Sequence, residues 1–474
     1  MPIGDRIGGF IRPGFNPLLA PGAPTIGTAD GESGLGTTVS ITFTAPSDVG
    51  GGAITGYTAT ARDTVSGVTF AGTGSSSPIT VTGVTLGQTY TVTVSATNAY
   101  GPSGASAASN SATAVSLAGE LWMWGYNVDG QLGDGSTVQR NSPVQVGALT
   151  DWLKVSLTYD SSAVIKTDGS LWTFGENSKG QLGDGSITDR SSPAQVGALT
   201  DWAEIAGGRE FFTSVKTDGT LWAWGRNQYG QLGQGDTTDR SSPVQIGALT
   251  DWSLVGAGRE HGLSVKTDGT LWAWGYNNNG QLGQGNTTNT SSPVQVGALT
   301  TWATPAGGGT EGVSHSLCVK TDGTLWTWGG NGQGQLGIGN TTYKSSPVQV
   351  GALTDWSKGL GGDRGSACIK TDGTVWTMGR SDSGELGDGT TVDKSSPVQV
   401  GALTTWADIS RGQRSVYGRT TGNTLFSWGY NDTGMLGLGD LVNRSSPVQV
   451  GALTTWKASA GEMSNASHAA AIQT

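Results

Sequence analysis

At seven regularly spaced positions the chain places an aromatic or methionine side chain directly before a glycine: Trp124, Phe174, Trp224, Trp274, Trp328, Met378 and Trp428. The intervals are 50, 50, 50, 54, 50 and 50 residues. A fixed period of this length signals a solenoid or a propeller, because one such unit cannot cover its own apolar faces and must stack on neighbours. Seven units favour a closed ring. The two ends carry the halves of a single hairpin: Glu120-Leu-Trp-Met-Trp-Gly125 opens the array and Ser467-His-Ala-Ala-Ala-Ile-Gln-Thr474 ends it. Elsewhere those halves are joined by a Thr-Asp-Gly turn such as Thr217-Asp218-Gly219. The last strand is therefore expected to pair with the first, removing the exposed edges of an open array.

Composition fits this pattern. The 80 Gly and 18 Trp stand against 13% charged residues, a balance suited to short strands and tight turns, so the fold class is all-β. At 474 residues the chain has room for two or three folded units. Residues 1–21 interleave Gly4, Gly8, Gly9, Pro13, Gly14, Pro17 and Pro21 with Ile3, Ile7, Phe10, Ile11, Phe15 and Leu18. Such a stretch cannot fold alone, and its apolar residues predict an extended arm anchored on a partner through Ile7, Phe10, Ile11 and Phe15. A plain disordered terminus is the competing reading. Residues 22–117 show period-two alternation at Val39, Ile41 and Phe43, at Ile79 and Val81, and at Tyr90, Val92, Val94 and Ala96, the mark of half-buried strands. Residues 118–474 hold the repeats.

Two family resemblances follow from these strings. Ser40-Ile-Thr-Phe-Thr-Ala-Pro46, Ile54-Thr-Gly-Tyr57 and Leu86-Gly-Gln-Thr-Tyr-Thr-Val-Thr-Val-Ser-Ala-Thr-Asn98 resemble a fibronectin type III domain, with Tyr90 where that family places its tyrosine corner. The usual strand-B tryptophan is Phe43 here and no Arg-Gly-Asp is present, so a spacer sandwich is expected and cell adhesion is not carried over. Each repeat runs Leu-Trp-x-Trp-Gly, x-Asn-x-x-Gly-Gln-Leu-Gly, Ser-Ser-Pro-Val-Gln-Val-Gly-Ala-Leu-Thr-Asp-Trp, a variable loop, then Val-Lys-Thr-Asp-Gly-Thr. These units resemble the repeats of the regulator of chromosome condensation family, which implies a seven-bladed β-propeller over residues 118–474. That family's nucleotide-exchange and chromatin roles use a wedge and basic surfaces that the sequence does not display, and they are not carried over.

Composition and internal comparison narrow the chemistry. A formal net charge of −10 repels a phosphate backbone and argues against nucleic-acid binding. No apolar run approaches eighteen residues and no secretory signal opens the chain, so a soluble protein without membrane insertion is expected. Cys318 and Cys368 occupy equivalent repeat slots in neighbouring blades, a reading preferred to a disulfide. Every tryptophan falls in a repeated slot, which points to core packing rather than a sugar-stacking surface. The Gly-Asp-Gly strings at Asp134, Asp184 and Asp388 are weak calcium-loop fragments, since the same slot holds Gln234, Gln284, Ile338 and Leu438. His261, His315 and His468 share one repeat position, so a recurrent hydrogen-bonding role outweighs a metal triad or general base. No nucleophile group, phosphate-cradling loop, cofactor motif or metal cluster stands apart from the repeat. The chain reads as a binding or structural protein, not an enzyme, although a site built from distant residues is left open.

Packing positions recur from unit to unit and a recognition surface need not. Variation concentrates after the Asp-Trp or Thr-Trp step, giving Arg209, Glu210, Phe211, Arg259, Glu260, His261, Glu311, Asp363, Arg364, Arg411 and Arg414 as candidate binding residues on one face. A second variable set follows Trp-Gly, at Tyr126, Glu176, Arg226, Tyr276, Gly330, Arg380 and Tyr430. The extra four residues of the long interval fall within Gly307 to His315. The layout of arm, spacer and uniform array, together with the opening residues 1–17, resembles virion appendage proteins of tailed bacteriophages. That resemblance implies a virion location, contacts with other virion structural proteins through residues 1–21, and a host-surface protein or glycan at the propeller loops. It leaves a homotrimer open. A bacterial cell-surface or scaffold interaction module is the alternative.

Overall fold

Alternating apolar side chains dictate the first of two units, which part between Leu117 and Ala118. A computed structural model describes residues 19–33, 38–85, 87–116, 118–310, 312–459 and 466–474. The expected anchors Ile7, Phe10, Ile11 and Phe15 lie outside the described residues. In the first unit Thr25–Asp30, Thr38–Thr44 and Ile79–Thr82 make one sheet, and Gly56–Asp63 pairs Thr69–Gly74 on one side and Thr89–Asn98 on the other in a second. Val39, Ile41, Tyr90, Val92, Val94 and Ala96 are fully buried between them, as their spacing requires. The Tyr90 hydroxyl accepts the Thr85 N–H at 2.9 Å, closing a tyrosine corner.

The second unit is seven four-stranded antiparallel sheets among the described residues. Six are continuous in sequence, at residues 152–195, 202–245, 252–295, 302–349, 356–399 and 406–449, and are termed the first to sixth blades. The closing blade combines Trp456–Ser459 and His468–Gln473 with Glu120–Gly125 and Arg140–Gln145. Its register runs from Glu120 opposite Gln473 to Gly125 opposite His468, so the chain's last strand completes the sheet that its first propeller strand begins. Among the described residues every propeller strand from Glu120 onward belongs to one of the seven sheets.

Glycine lets the inner strands of successive blades meet closely: a Cβ on Gly207 would sit 2.6 Å from the Leu157 carbonyl oxygen of the preceding blade. Outside these strands lie the tryptophans. Trp224, Trp274, Trp328 and Trp124 are wholly buried, and each indole N–H donates across a blade boundary, to the carbonyls of Gln181, Gln231, Gln281 and Met435 at 2.8–2.9 Å. Burying about 200 Å² contributes at most about 5 kcal/mol per indole. At the other end of the inner strand, in the first five blades, a second tryptophan shelters the turn lysine. Lys216 Nζ lies 4.6 and 4.3 Å from the Trp202 and Trp222 ring centroids and 3.3 Å from Asp201. Cys318 and Cys368 are free and buried.

Candidate interaction face

The hairpin joining inner and second strands places the variable loops at the same end of every blade. Main-chain bonds tie these loops to one another: Tyr159 N–H to Arg209 O, Arg209 N–H to Arg259 O, Gly309 N–H to Gly362 O, Asp363 N–H to Gln413 O and Ser467 N–H to Tyr159 O, at 2.8–3.4 Å. The loops thus form a braced rim whose backbone groups are satisfied between blades.

A second set of main-chain bonds links the two variable positions of each blade. The residue after Trp-Gly, or its equivalent, donates its N–H to the last loop residue sixteen positions earlier: Glu176 to Asp160, Arg226 to Glu210, Tyr276 to Glu260, Gly330 to Ser314, Arg380 to Arg364 and Tyr430 to Arg414, at 2.7–3.0 Å. In the closing blade Tyr126 donates to Ser467 at 3.4 Å. The intervening glycine permits this approach, since a Cβ on Gly225 would lie 2.4 Å from the Glu210 carbonyl oxygen. Positions that vary in sequence therefore face each other in pairs.

In the second, third, fifth and sixth blades Glu210, Glu260, Arg380 and Arg414 of these pairs meet opposite charge within the chain, and the fourth and closing blades hold no charge there. Glu210 holds Arg226 in an ion pair and has Arg209 at 3.7 Å. Glu260 has Arg259 at 3.9 Å, and although burial raises its pKa, Arg259, Arg226 and Arg209 act against the shift. Arg380 pairs with Asp363 at 3.3 Å and Asp382 at 2.5 Å. Arg414 donates to Glu385 at 2.7 Å and to Asp382, and stacks its guanidinium 4.2 Å from the Tyr430 ring centroid. In the first blade Asp160 faces another acid, Glu176. Burial raises the Asp160 pKa to about 7, and repulsion from Asp129 and Glu176 adds to it. Asp160 Oδ1 accepts from Gln131 at 3.1 Å and Ser467 at 3.2 Å.

The candidate residues differ widely in access. Phe211 and His261 are fully buried, the former in the apolar core between blades. Arg259, Glu260, Asp363 and Arg411 are nearly so. Arg411 ends the inner strand of the sixth blade beside Gly362 and Gly365, and burial pushes its pKa down to about 10. Arg209, Glu210, Arg364 and Arg414 keep partial access to solvent. Glu311 lies outside the described residues. Asp160 ends a variable loop and Glu176 stands in the second variable set, yet neither is among the candidate binding residues; the fold is what brings the two together.

The three histidines are inter-blade ties. Nε2 of His261, His315 and His468 lies 2.8, 3.0 and 2.8 Å from Oγ of Ser316, Ser366 and Ser162 in the next blade. Burial lowers each pKa to about 3, so all three are neutral. In the fourth blade the added residues lengthen the hairpin to Trp302–Thr310 and Val313–Lys320. Its Val313 occupies the space over Gly330, where a Cβ would meet Val313 Cγ1 at 2.7 Å. This explains the glycine among tyrosines and charges in that slot.

Residues 118–165, 168–215, 218–265, 268–319, 322–369, 372–417 and 423–466 match the Regulator of chromosome condensation (RCC1) repeat, and residues 23–112 match the Fibronectin type III domain. Mouse Protein RCC2 is 45% identical over 42 residues, which span 9% of this chain and 8% of that protein. Human WBSCR16 superposes with a TM-score of 0.65 at 20% identity, covering 75% of this chain and 99% of that one. Yeast RCC1 (Prp20), solved bound to Kap60, superposes at 0.66 and 18% identity, covering 75% and 89%. A further structure of Prp20p from Saccharomyces cerevisiae, presented with its binding properties to Gsp1p and histones, gives 0.66 at 18% identity over 75% and 92%. These likenesses fix the fold as a propeller. They also correct two expectations: the relatives are mouse, human and yeast proteins, and the yeast one is described with Kap60, Gsp1p and histones. Virion proteins as partners of residues 1–21, a host-surface protein or glycan at the loops, a homotrimer, and a virion or bacterial cell-surface location are therefore withdrawn. The layout and short opening string that suggested them carry far less information than seven in-register repeats.

Proposed function

The chain belongs to the regulator of chromosome condensation (RCC1) repeat family, and on that premise we propose that it is a protein-interaction module that docks its partner on the loop end of the propeller and acts by binding rather than by covalent chemistry. One observation carries this reading: in an array otherwise uniform enough to share tryptophans, turns and caps, the paired loop positions hold a different combination in every blade, from Asp160 with Glu176 to Arg364 with Arg380. Packing demands repetition, and recognition demands difference. The yeast relative's described partners are proteins, and only that class of ligand is transferred here. The buried, neutral histidines serve the scaffold, which supports a binding role.

A second reading has its own observation. At the opposite end each Gly-Ala-Leu-Thr step exposes its leucine, from Leu149 at 45% to Leu453 at 42%, beside apolar hollows of about 280 to 310 Å³ floored by pairs such as Trp152 and Trp172. Cross-linking mass spectrometry of partners retained by the full chain separates the two. Alanine at Arg209, Glu210, Arg364 and Arg414 is expected to abolish retention; loss instead on replacing Leu149, Leu199 and Leu249 by serine would transfer the docking face to the other end.

A further inference from the structure

We infer that the first blade carries an open receptor for one cationic side chain of the partner, an arginine guanidinium seated between Asp160 and Glu176 and flanked by Tyr126 and Tyr159. This rests on the reading of the loop end as a protein-docking face. Its origin is a comparison of the blades with each other. In the second blade the loop carboxylate Glu210 and the residue bonded to it through the main chain, Arg226, form an ion pair. The same main-chain bond, at 2.8 Å, joins Glu176 to Asp160, but Glu176 stands where Arg226 does and Tyr159 stands where Arg209 does. The first blade thus keeps the acceptor half of a guanidinium site and lacks the donor that the next blade builds in.

Nothing else in the described structure neutralises it. Arg209 turns towards Tyr159, 6.0 Å from the ring centroid, and towards Glu210 at 3.7 Å, without an ion pair to Asp160. Lys179 makes no ion pair among the described residues, and residues 460–465 contain no Lys or Arg. The acids stand in an acidic neighbourhood: burial and then repulsion from Asp129 and Glu176 raise Asp160, burial and then Asp189 raise Asp129, and burial raises Glu176. Among the described residues Asp160 Oδ2 accepts no hydrogen bond, since Gln131 and Ser467 both donate to Oδ1. Glu176 accepts from Ser178 and from Gln181. Tyr126 and Tyr159 stand beside Asp160: burial raises both phenols most, and the Asp160 charge adds to it. A guanidinium brings planar donors and a face that stacks on aromatic rings, which suits this set better than a compact ammonium.

The ligand for the test is the peptide Ac-Gly-Arg-Gly-NH2, with citrulline and lysine versions as comparisons, observed by saturation-transfer NMR on the full chain. The arginine peptide is expected to bind about tenfold better than the citrulline one, with lysine between, and to weaken with added salt. Asp160→Asn with Glu176→Gln should remove the preference. Glu176→Arg, which installs the neighbour's own donor, should remove it while raising the melting temperature, so a folded variant reports even if the neutral pair is unstable. Equal binding of arginine and citrulline peptides, or a preference that survives Glu176→Arg, overturns the receptor. The docking face stands or falls separately: partners cross-linked to the loop end equally in wild type and Glu176→Arg would leave that face in place and remove only this receptor.

Discussion

Nε2 of His468 lies 2.8 Å from Oγ of Ser162, a side-chain bond between the last strand of the chain and the first full blade. Ser162 spends its proton on the Gln131 carbonyl at 2.8 Å, so the imidazole must be the donor and carries its hydrogen on Nε2. Ser316 and Ser366 donate to the Gln281 and Gln335 carbonyls in the same way, at 2.7 and 2.9 Å. Ser162→Ala leaves a buried ring N–H without an acceptor and is expected to cost about 1–3 kcal/mol in a denaturant titration. Because His468 lies in the strand that closes the ring, hydrogen exchange should rise at residues 468–473 in this variant more than at the strands flanking Ser316→Ala.

Those histidines also set the acid response. Their folded pKa values, about 3, lie below the ordinary value of 6.5, so their stabilisation is complete above pH 6.5 and is lost as pH falls towards 3. Asp160 works the other way. With a folded value near 7 against 3.8, it favours the fold at low pH and penalises it as pH rises to 7. One such group changes stability by at most about 1.4 kcal/mol per pH unit, and three histidines outweigh one aspartate below 6.5. Melting temperature should therefore peak near neutrality and fall steeply below about pH 6. Asp160→Asn should raise stability at pH 8 and steepen the fall between about pH 6.5 and 3.8, where the aspartate no longer offsets the histidines.

The fourth blade breaks a rule that other blades keep. Lys166, Lys216, Lys266 and Lys370 each have an aspartate 3.3–3.5 Å away, at Asp151, Asp201, Asp251 and Asp355. Where the acid slot is Thr405 or Thr455, the lysine slot is Thr420 or Gln473. Lys320 alone keeps the cation opposite a threonine, Thr301, and burial lowers its pKa. The Thr321 N–H to Thr301 O bond, 2.9 Å, matches the one at Asp151, so an aspartate at residue 301 would reach the same place. Thr301→Asp is expected to stabilise by about 0.5–1 kcal/mol, discounted because the partner acids are about two-fifths exposed, and to lose that gain at high salt. A denaturant midpoint unchanged at low salt would refute it.

Repetition explains what could be read from sequence. Seven aligned Trp-Gly steps give blade number and register, and the half-hairpins at Glu120 and His468 give the closure. The period also identified the histidines as structural, though not their serine partners, because Ser162 and His468 lie 306 residues apart and meet only when the ring shuts. Loop variation marked Arg209 and Glu210, which keep some access to solvent, and Phe211 and His261, which do not. Variation at one position cannot tell a side chain that faces a partner from one that fills a gap left by its neighbour. Pairing resolves it, as Asp160 with Glu176 and Val313 with Gly330 illustrate.

The last of these pairs gives a test of packing between two variable positions. Tyr126, Tyr276 and Tyr430 occupy the slot of Gly330 in other blades, so the backbone there accepts side chains and the glycine answers to its neighbour. A Cβ on Gly330 would approach Val313 Cγ1 at 2.7 Å and the Ser314 carbonyl oxygen at 3.0 Å, well inside van der Waals contact. Gly330→Ala must push the hairpin outward and is expected to cost about 1–3 kcal/mol. Val313→Ala removes the offending methyl at a smaller cost, since Val313 is only half-buried. In the double variant the two costs should fall short of their sum by about 1 kcal/mol, measured by a double-mutant cycle on denaturant midpoints. Strict additivity would mean that the hairpin's length, and not Val313, dictates glycine at residue 330.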